Sequence, residues 1–125
     1  MSGPKRILIV DDDAFIRRPL EFILREEGYE PATAADADEG MRAIEAAPPD
    51  LIVLDVMMPG KDGLTFCGEL KGDPRFSGIP IVLLSARGQE NDRQKGLALG
   101  AAEFLTKPYS PHEFKRCVRL LLGEG

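Results

Sequence analysis

Five short apolar runs alternate along the chain with stretches in which apolar positions return every three or four residues. The runs are Arg6–Val10, Glu30–Ala34, Leu51–Leu54 leading into Asp55, Ile81–Leu84 and Glu103–Thr106, and their length and β-branched content predict strands. Leu51–Leu54 carries no polar interruption, the habit of a strand buried on both faces. Glu30–Ala34 is weaker, and Pro31, which lacks a ladder donor, places it at a sheet edge. Between the runs, Ile16, Leu20, Ile23 and Leu24 form one face of a first helix, ended by Gly28 and expected to bend or weaken at Pro19. A second helix opens at Asp36, with Asp38 and Glu39 at its positive dipole end, and stops before Pro48 and Pro49. Leu64–Lys71 is a third, closed by Gly72 and Pro74. Gln89–Leu99 is a fourth, made less regular by Gly96 and ended by Gly100. Ser110, Pro111 and Glu113 spell a capping box with proline at the first helical position. The last helix they open has Phe114, Cys117, Val118, Leu121 and Leu122 on its buried face.

The succession is β-α repeated five times. Right-handed crossovers in such a series impose a parallel sheet with helices on both faces. An edge position for the second strand selects the flavodoxin-like order 2-1-3-4-5, a doubly wound α/β fold with five helices. Its crevice lies beyond the carboxyl ends of strands one and three. A length of 125 residues is one domain's worth, so a single domain over 1–125 is expected.

Composition narrows the function classes. Sixteen Lys and Arg against 21 Asp and Glu leave a formal charge of -5 and no evident basic patch, which argues against direct nucleic-acid binding. No stretch approaches membrane-spanning length, and the four apolar residues after Arg6 run into three aspartates, so neither a membrane span nor a signal peptide is expected. Cys67 and Cys117 lie far apart in predicted helices. They read as packing residues in a reducing cytosol, and a cytoplasmic location follows as an expectation. The single histidine, His112, falls in the first turn of the last helix and reads as a surface residue.

The predicted topology delivers chemistry to one sheet edge. Asp11 and Asp12 follow strand one, Asp55 ends strand three, Ser85 follows strand four and Lys107 follows strand five. Asp12 or Asp13 can equally cap the first helix, and for Asp13 that reading is preferred. Ser85 alone would pass for a turn residue and Lys107 for a solvated charge. Chance, however, has no reason to place an acid pair, an acid, a hydroxyl and an amine at four core strand ends. Crowded carboxylates raise one another's pKa unless a cation sits among them, and a hard divalent ion with oxygen ligands and retained waters suits magnesium. A lysine and a serine hydroxyl suit the oxygens of a phosphoryl group.

ILIVDDD, LIVLDVMMPGKDG, IVLLSA and FLTKPYSP, in this order and spacing, closely resemble the receiver domain of bacterial two-component response regulators. The resemblance implies that Asp55 accepts a phosphoryl group from a histidine kinase or a histidine phosphotransfer protein. It further implies that Asp11, Asp12, Asp55 and the backbone carbonyl of Met57 hold Mg2+, that Ser85 hydrogen-bonds the phosphoryl group and that Lys107 pairs with it. A cis peptide before Pro108 is expected, as is slow self-catalysed dephosphorylation. Ser85 and Phe104 would form the switch, Ser85 moving toward the phosphoryl group and Phe104 swinging inward. The face built by the fourth helix, fifth strand and fifth helix would change with them, and a homodimer through that face is one expected outcome. Ser85 stands where threonine is common and Phe104 lacks a hydroxyl, which loosens the coupling. Met57 and Arg87 flank the site and influence phosphoryl lifetime, while Pro59, Gly60 and Gly63 shape the turn after Asp55.

Two rival readings are weaker. Asp11 and Asp13 form a D-x-D pair similar to the nucleophile motif of haloacid-dehalogenase-type phosphatases, with Asp11 as nucleophile, but the flanking glycine and threonine or valine are missing. A flavin-binding module of the same fold needs a hydroxyl- and glycine-rich phosphate loop where the triple aspartate stands.

Overall fold

The computed structural model describes residues 3–86 and 90–124. Strands β1 (Arg6–Val10), β2 (Glu30–Ala34), β3 (Leu51–Asp55), β4 (Ile81–Ala86) and β5 (Glu103–Lys107) alternate with helices α1 (Ala14–Glu26), α2 (Ala37–Ala46), α3 (Gly63–Lys71), α4 (Glu90–Ala98) and α5 (Pro111–Leu121). All neighbouring strands pair in parallel, in the order β2-β1-β3-β4-β5. The flavodoxin-like expectation holds, with β2 at the edge.

Alternation along the strands divides the core into two layers. Ile7, Ile9, Leu51, Val53, Val82 and Leu84 face α1 and α5, where Leu20, Leu24, Phe114 and Val118 close over them. Leu8, Val10, Ile52, Leu54, Ile81 and Leu83 face the other way, against Ile44 of α2 and Phe66 and Leu70 of α3. Because β1, β3 and β4 are covered on both sides, their apolar runs are continuous, and their carboxyl ends are held from above and below.

Local chemistry sets the element ends. Asp13, Asp36, Asp62 and Ser110 each accept a hydrogen bond from a backbone N–H in the first turn of the following helix, and Ser110 completes the capping box with Glu113. Gly28 and Gly100 take the positive φ that turns the chain after α1 and α4. Helix α1 continues through Pro19. The acceptor left without its N–H lies four residues back at Phe15, which is 86 % exposed, so solvent can replace the lost bond. Strand β4 runs through Ser85 to Ala86 and β5 through Lys107, one or two residues beyond their apolar runs, because the ladder continues with Ser85 opposite Thr106 and Ala86 opposite Lys107. Gln89, expected to begin the fourth helix, and Arg87 lie outside the described residues. The Lys107–Pro108 peptide is cis, as expected.

Candidate functional site

Three carboxylates meet at the carboxyl end of the sheet. Asp11 follows β1 and is 1 % exposed, Asp55 ends β3 and is 5 % exposed, and Asp12 beside them is open to solvent. One oxygen from each lies within 4.8 Å of the others. Lys107 reaches across from β5, its Nζ 3.1 Å from Asp55 Oδ1 and 3.9 Å from Asp11 Oδ2.

Asp11 is tightly held by its surroundings. Its backbone N–H donates to the Ala34 carbonyl at 3.0 Å, the Asp13 N–H donates to its Oδ1 at 2.9 Å, and the Arg17 guanidinium donates to its carbonyl at 2.6 Å. Its Oδ2 is buried and has no hydrogen-bond partner. Burial, seconded by the charges of Asp55 and Asp12, pushes the Asp11 carboxyl up to about 6, although the Asp13 N–H and Lys107 oppose the rise. Burial also raises Asp55, against the pull of Lys107 and the Met57 backbone. An orphaned carboxylate oxygen among three acids, two of them reluctant to ionise, fits a hard divalent cation with oxygen ligands. The site-forming residues therefore match the chemistry of Mg2+.

Ser85 lies fully buried on β4, one residue past the Leu84 that pairs with Asp55. Among the described residues its hydroxyl makes only a 3.5 Å contact to the Ala86 carbonyl, too long to engage it. The Met57 side chain is 61 % exposed, two residues beyond Asp55. Phe104 is not among the carboxylates. It packs inside, opposite Leu83 in the sheet and beside Gly96 of α4. The loop after Asp55 folds back on itself: the Gly63 N–H bonds the Val56 carbonyl at 2.9 Å, and a β-carbon on Gly63 would overlap the Asp55 carbonyl. His112 is exposed, and Cys67 and Cys117 are buried free thiols.

Two neighbours escaped the sequence reading. Arg17 could have been suspected only from its place one turn into α1, where a long side chain can reach back to the end of β1. Tyr109 follows Pro108, and its phenol is pushed up to about 12, chiefly by burial and then by the charges of Asp11 and Asp55. Beside the carboxylates an apolar groove of about 510 Å³ runs between α1 and the β5–α5 loop, lined by Phe15, Ile16, Pro19, Lys107, Pro108 and Tyr109.

The family model described as the response regulator receiver domain matches residues 7–119. The chain belongs to that family. The receiver domain is 41% identical over 118 residues to the phosphate regulon transcriptional regulatory protein PhoB of Escherichia coli, covering 94% of this chain and 52% of PhoB. It thus spans about half the length of the curated relatives it matches. Among solved structures, the receiver domain of a signal transduction histidine kinase from Syntrophus aciditrophicus superposes with a TM-score of 0.89 at 36% identity, covering 95% of this chain and 90% of that one. The chemotaxis protein CheY4 of Vibrio cholerae superposes with a TM-score of 0.88 at 30% identity, covering 95% and 99%. Receiver domains of response regulators are signalling phosphoacceptors that work with histidine kinases and bind Mg2+ at an acidic pocket. The phosphatase alternative has no support from family or fold. Among the described residues, no helix is long and apolar enough to cross a membrane.

Proposed function

We propose that Asp55 is the phosphoacceptor of this receiver domain. The observation that carries the reading is its double engagement: a buried carboxylate at a strand end, with oxygens of two other acids within 4.8 Å and an ammonium 3.1 Å away. An Asp55 oxygen attacks the phosphorus of a phosphohistidine, the P–N bond breaks, and its electron pair stays on the imidazole nitrogen, which takes up a proton. Lys107 and the Ser85 hydroxyl neutralise charge on the transferring oxygens. Asp11 and Asp12, with Asp55 and the Met57 carbonyl, would hold Mg2+, which supplies positive charge to the phosphoryl oxygens when bound. Water attacking the same phosphorus returns Asp55 to its free form, so slow autodephosphorylation belongs to this reading.

The groove between α1 and the β5–α5 loop is the surface on which a histidine kinase or phosphotransfer protein would dock. It shares Lys107 with the site and presents the 86 % exposed Phe15, so a helix lying there would bring its histidine to Asp55. Ser85 and Phe104 form the proposed switch. Phe104 occupies the inward position, so the alternative state is the one with its ring turned out. A homodimer through α4, β5 and α5 is supported by Leu120, 59 % exposed in a groove with Glu103, Leu105 and Arg116. A cytoplasmic location accords with this chemistry.

Labelling with acetyl phosphate and Mg2+, read by mass spectrometry, tests the central proposal. Wild type takes one phosphoryl group and Asp55→Asn takes none; a label that survives Asp55→Asn would sink it.

A further inference from the structure

Asp11 O is a carbonyl at the point where the β1 ladder with β3 has already ended, since the last pair is Val10 with Leu54. Its hydrogen-bond donor comes from a distant side chain: Arg17 Nη1, at 2.6 Å. An arginine beside crowded carboxylates would ordinarily take one of them in a charge-assisted pair. The Arg17 side chain makes no ion pair among the described residues, and its one hydrogen bond there goes to a main-chain oxygen. Both carboxylate oxygens of Asp11 are therefore left to other partners. Oδ1 takes the Asp13 N–H, and Oδ2 accepts no hydrogen bond within the acid cluster, with the Lys107 ammonium 3.9 Å away.

We infer that Arg17 is a positioning residue for the cation site: by holding the Asp11 backbone through its carbonyl, it aims Oδ2, which accepts no hydrogen bond, at the cation without occupying a ligand position. This rests on the phosphoacceptor reading, in which Asp11 is a Mg2+ ligand. The planar guanidinium suits the role, because it is permanently charged and holds its donors in a fixed fork. Three contacts, from Ala34, Asp13 and Arg17, fix N, Oδ1 and O of one residue, and the remaining oxygen inherits its direction from them. Partners of ligands are commonly worth ten- to a hundredfold in metal affinity.

The sign of the effect separates positioning from simple charge. Removing a nearby positive charge should tighten the binding of a cation, whereas removing a support should weaken it. Mg2+ affinity is measured by calorimetry for wild type, Arg17→Met and Arg18→Met, with thermal melting in chelator to compare the metal-free folds. Arg18 is one residue along the same helix and exposed, so its loss reports charge alone. The expected result is binding roughly tenfold weaker in Arg17→Met, and unchanged or slightly tighter in Arg18→Met. Equal or tighter binding by Arg17→Met would overturn the inference. Should Arg17→Met fail to fold, Arg17→Lys decides: it keeps the charge and loses the fork, so weaker binding supports positioning and unchanged binding overturns it. Wild type that binds no Mg2+ would instead remove the phosphoacceptor reading on which the inference stands.

Discussion

Lys107 Nζ lies 3.1 Å from Asp55 Oδ1, joining the last strand of the sheet to the middle one through a single ion pair. With Asp55 only 5 % exposed, that ammonium is the main force opposing the carboxyl's raised pKa. It also stands where it repels any cation held by Asp11 and Asp55. Lys107→Met should therefore raise the Asp55 pKa further and, at neutral pH, tighten Mg2+ binding by about tenfold, since a unit charge near a divalent ion costs ~1–2 kcal/mol. Calorimetry checks the affinity, and weaker Mg2+ binding would count against the charge argument.

Acidification should release the ion. A protonated carboxyl is a poor ligand, and Asp11 is pushed up to about 6, so Mg2+ affinity at pH 5 should fall about tenfold below its value at pH 7.5. Stability of the metal-free domain moves the other way. A folded-state pKa above the unfolded one means the folded chain binds the proton more tightly. This group's contribution is then fully present below pH 3.8 and is lost as pH rises through about 6, worth up to ~3 kcal/mol. Urea denaturation in chelator between pH 4 and 7 measures the loss, and added Mg2+ should reduce it.

The Ser85 hydroxyl, whose one contact among the described residues is a 3.5 Å approach to the Ala86 carbonyl, contributes little to the resting fold. Ser85→Ala should leave the unfolding free energy within ~0.5 kcal/mol of wild type while weakening beryllofluoride binding at least tenfold, the worth of a hydrogen bond to a charged group. Denaturant curves and a fluoride-dependent binding titration read the two quantities separately.

Gly63 has no room for a methyl group. A β-carbon there would overlap the Asp55 carbonyl and stand 2.8 Å from Val56 Cα, both backbone atoms that cannot swing aside. Gly63→Ala should cost about 1–3 kcal/mol or more and displace the Asp55 main chain, so that acetyl phosphate labelling falls by more than the loss of folded protein explains. A variant with wild-type melting and labelling would show that the loop yields.

The strand ends were readable because each apolar run of the covered strands stops where a polar residue emerges from between two helical layers. Asp11, Asp55 and Ser85 end such runs. Asp13 was readable as a cap from its place before a periodic apolar face, and it does cap α1. Arg17 was not, because its role depends on where a flexible side chain lands, and no periodicity encodes that. The inward packing of Phe104 was equally hidden, as was the role of Gly96, which reads locally as a weak helix residue but leaves no room for a β-carbon against Leu83. Helix α1 spans Pro19 without breaking, and the carbonyl it frees, that of Phe15, lies on an exposed turn.

The order of strands along the chain has a consequence for synthesis. Asp11, Asp12 and Asp55 leave the ribosome well before Lys107, so an N-terminal portion that folds early brings these acids together without the ammonium that pairs with Asp55. A divalent ion can stand in until the fifth strand docks. Refolding in millimolar Mg2+ should accordingly outpace refolding in chelator, and the gap should widen in Lys107→Met, where the covalent counter-charge never arrives.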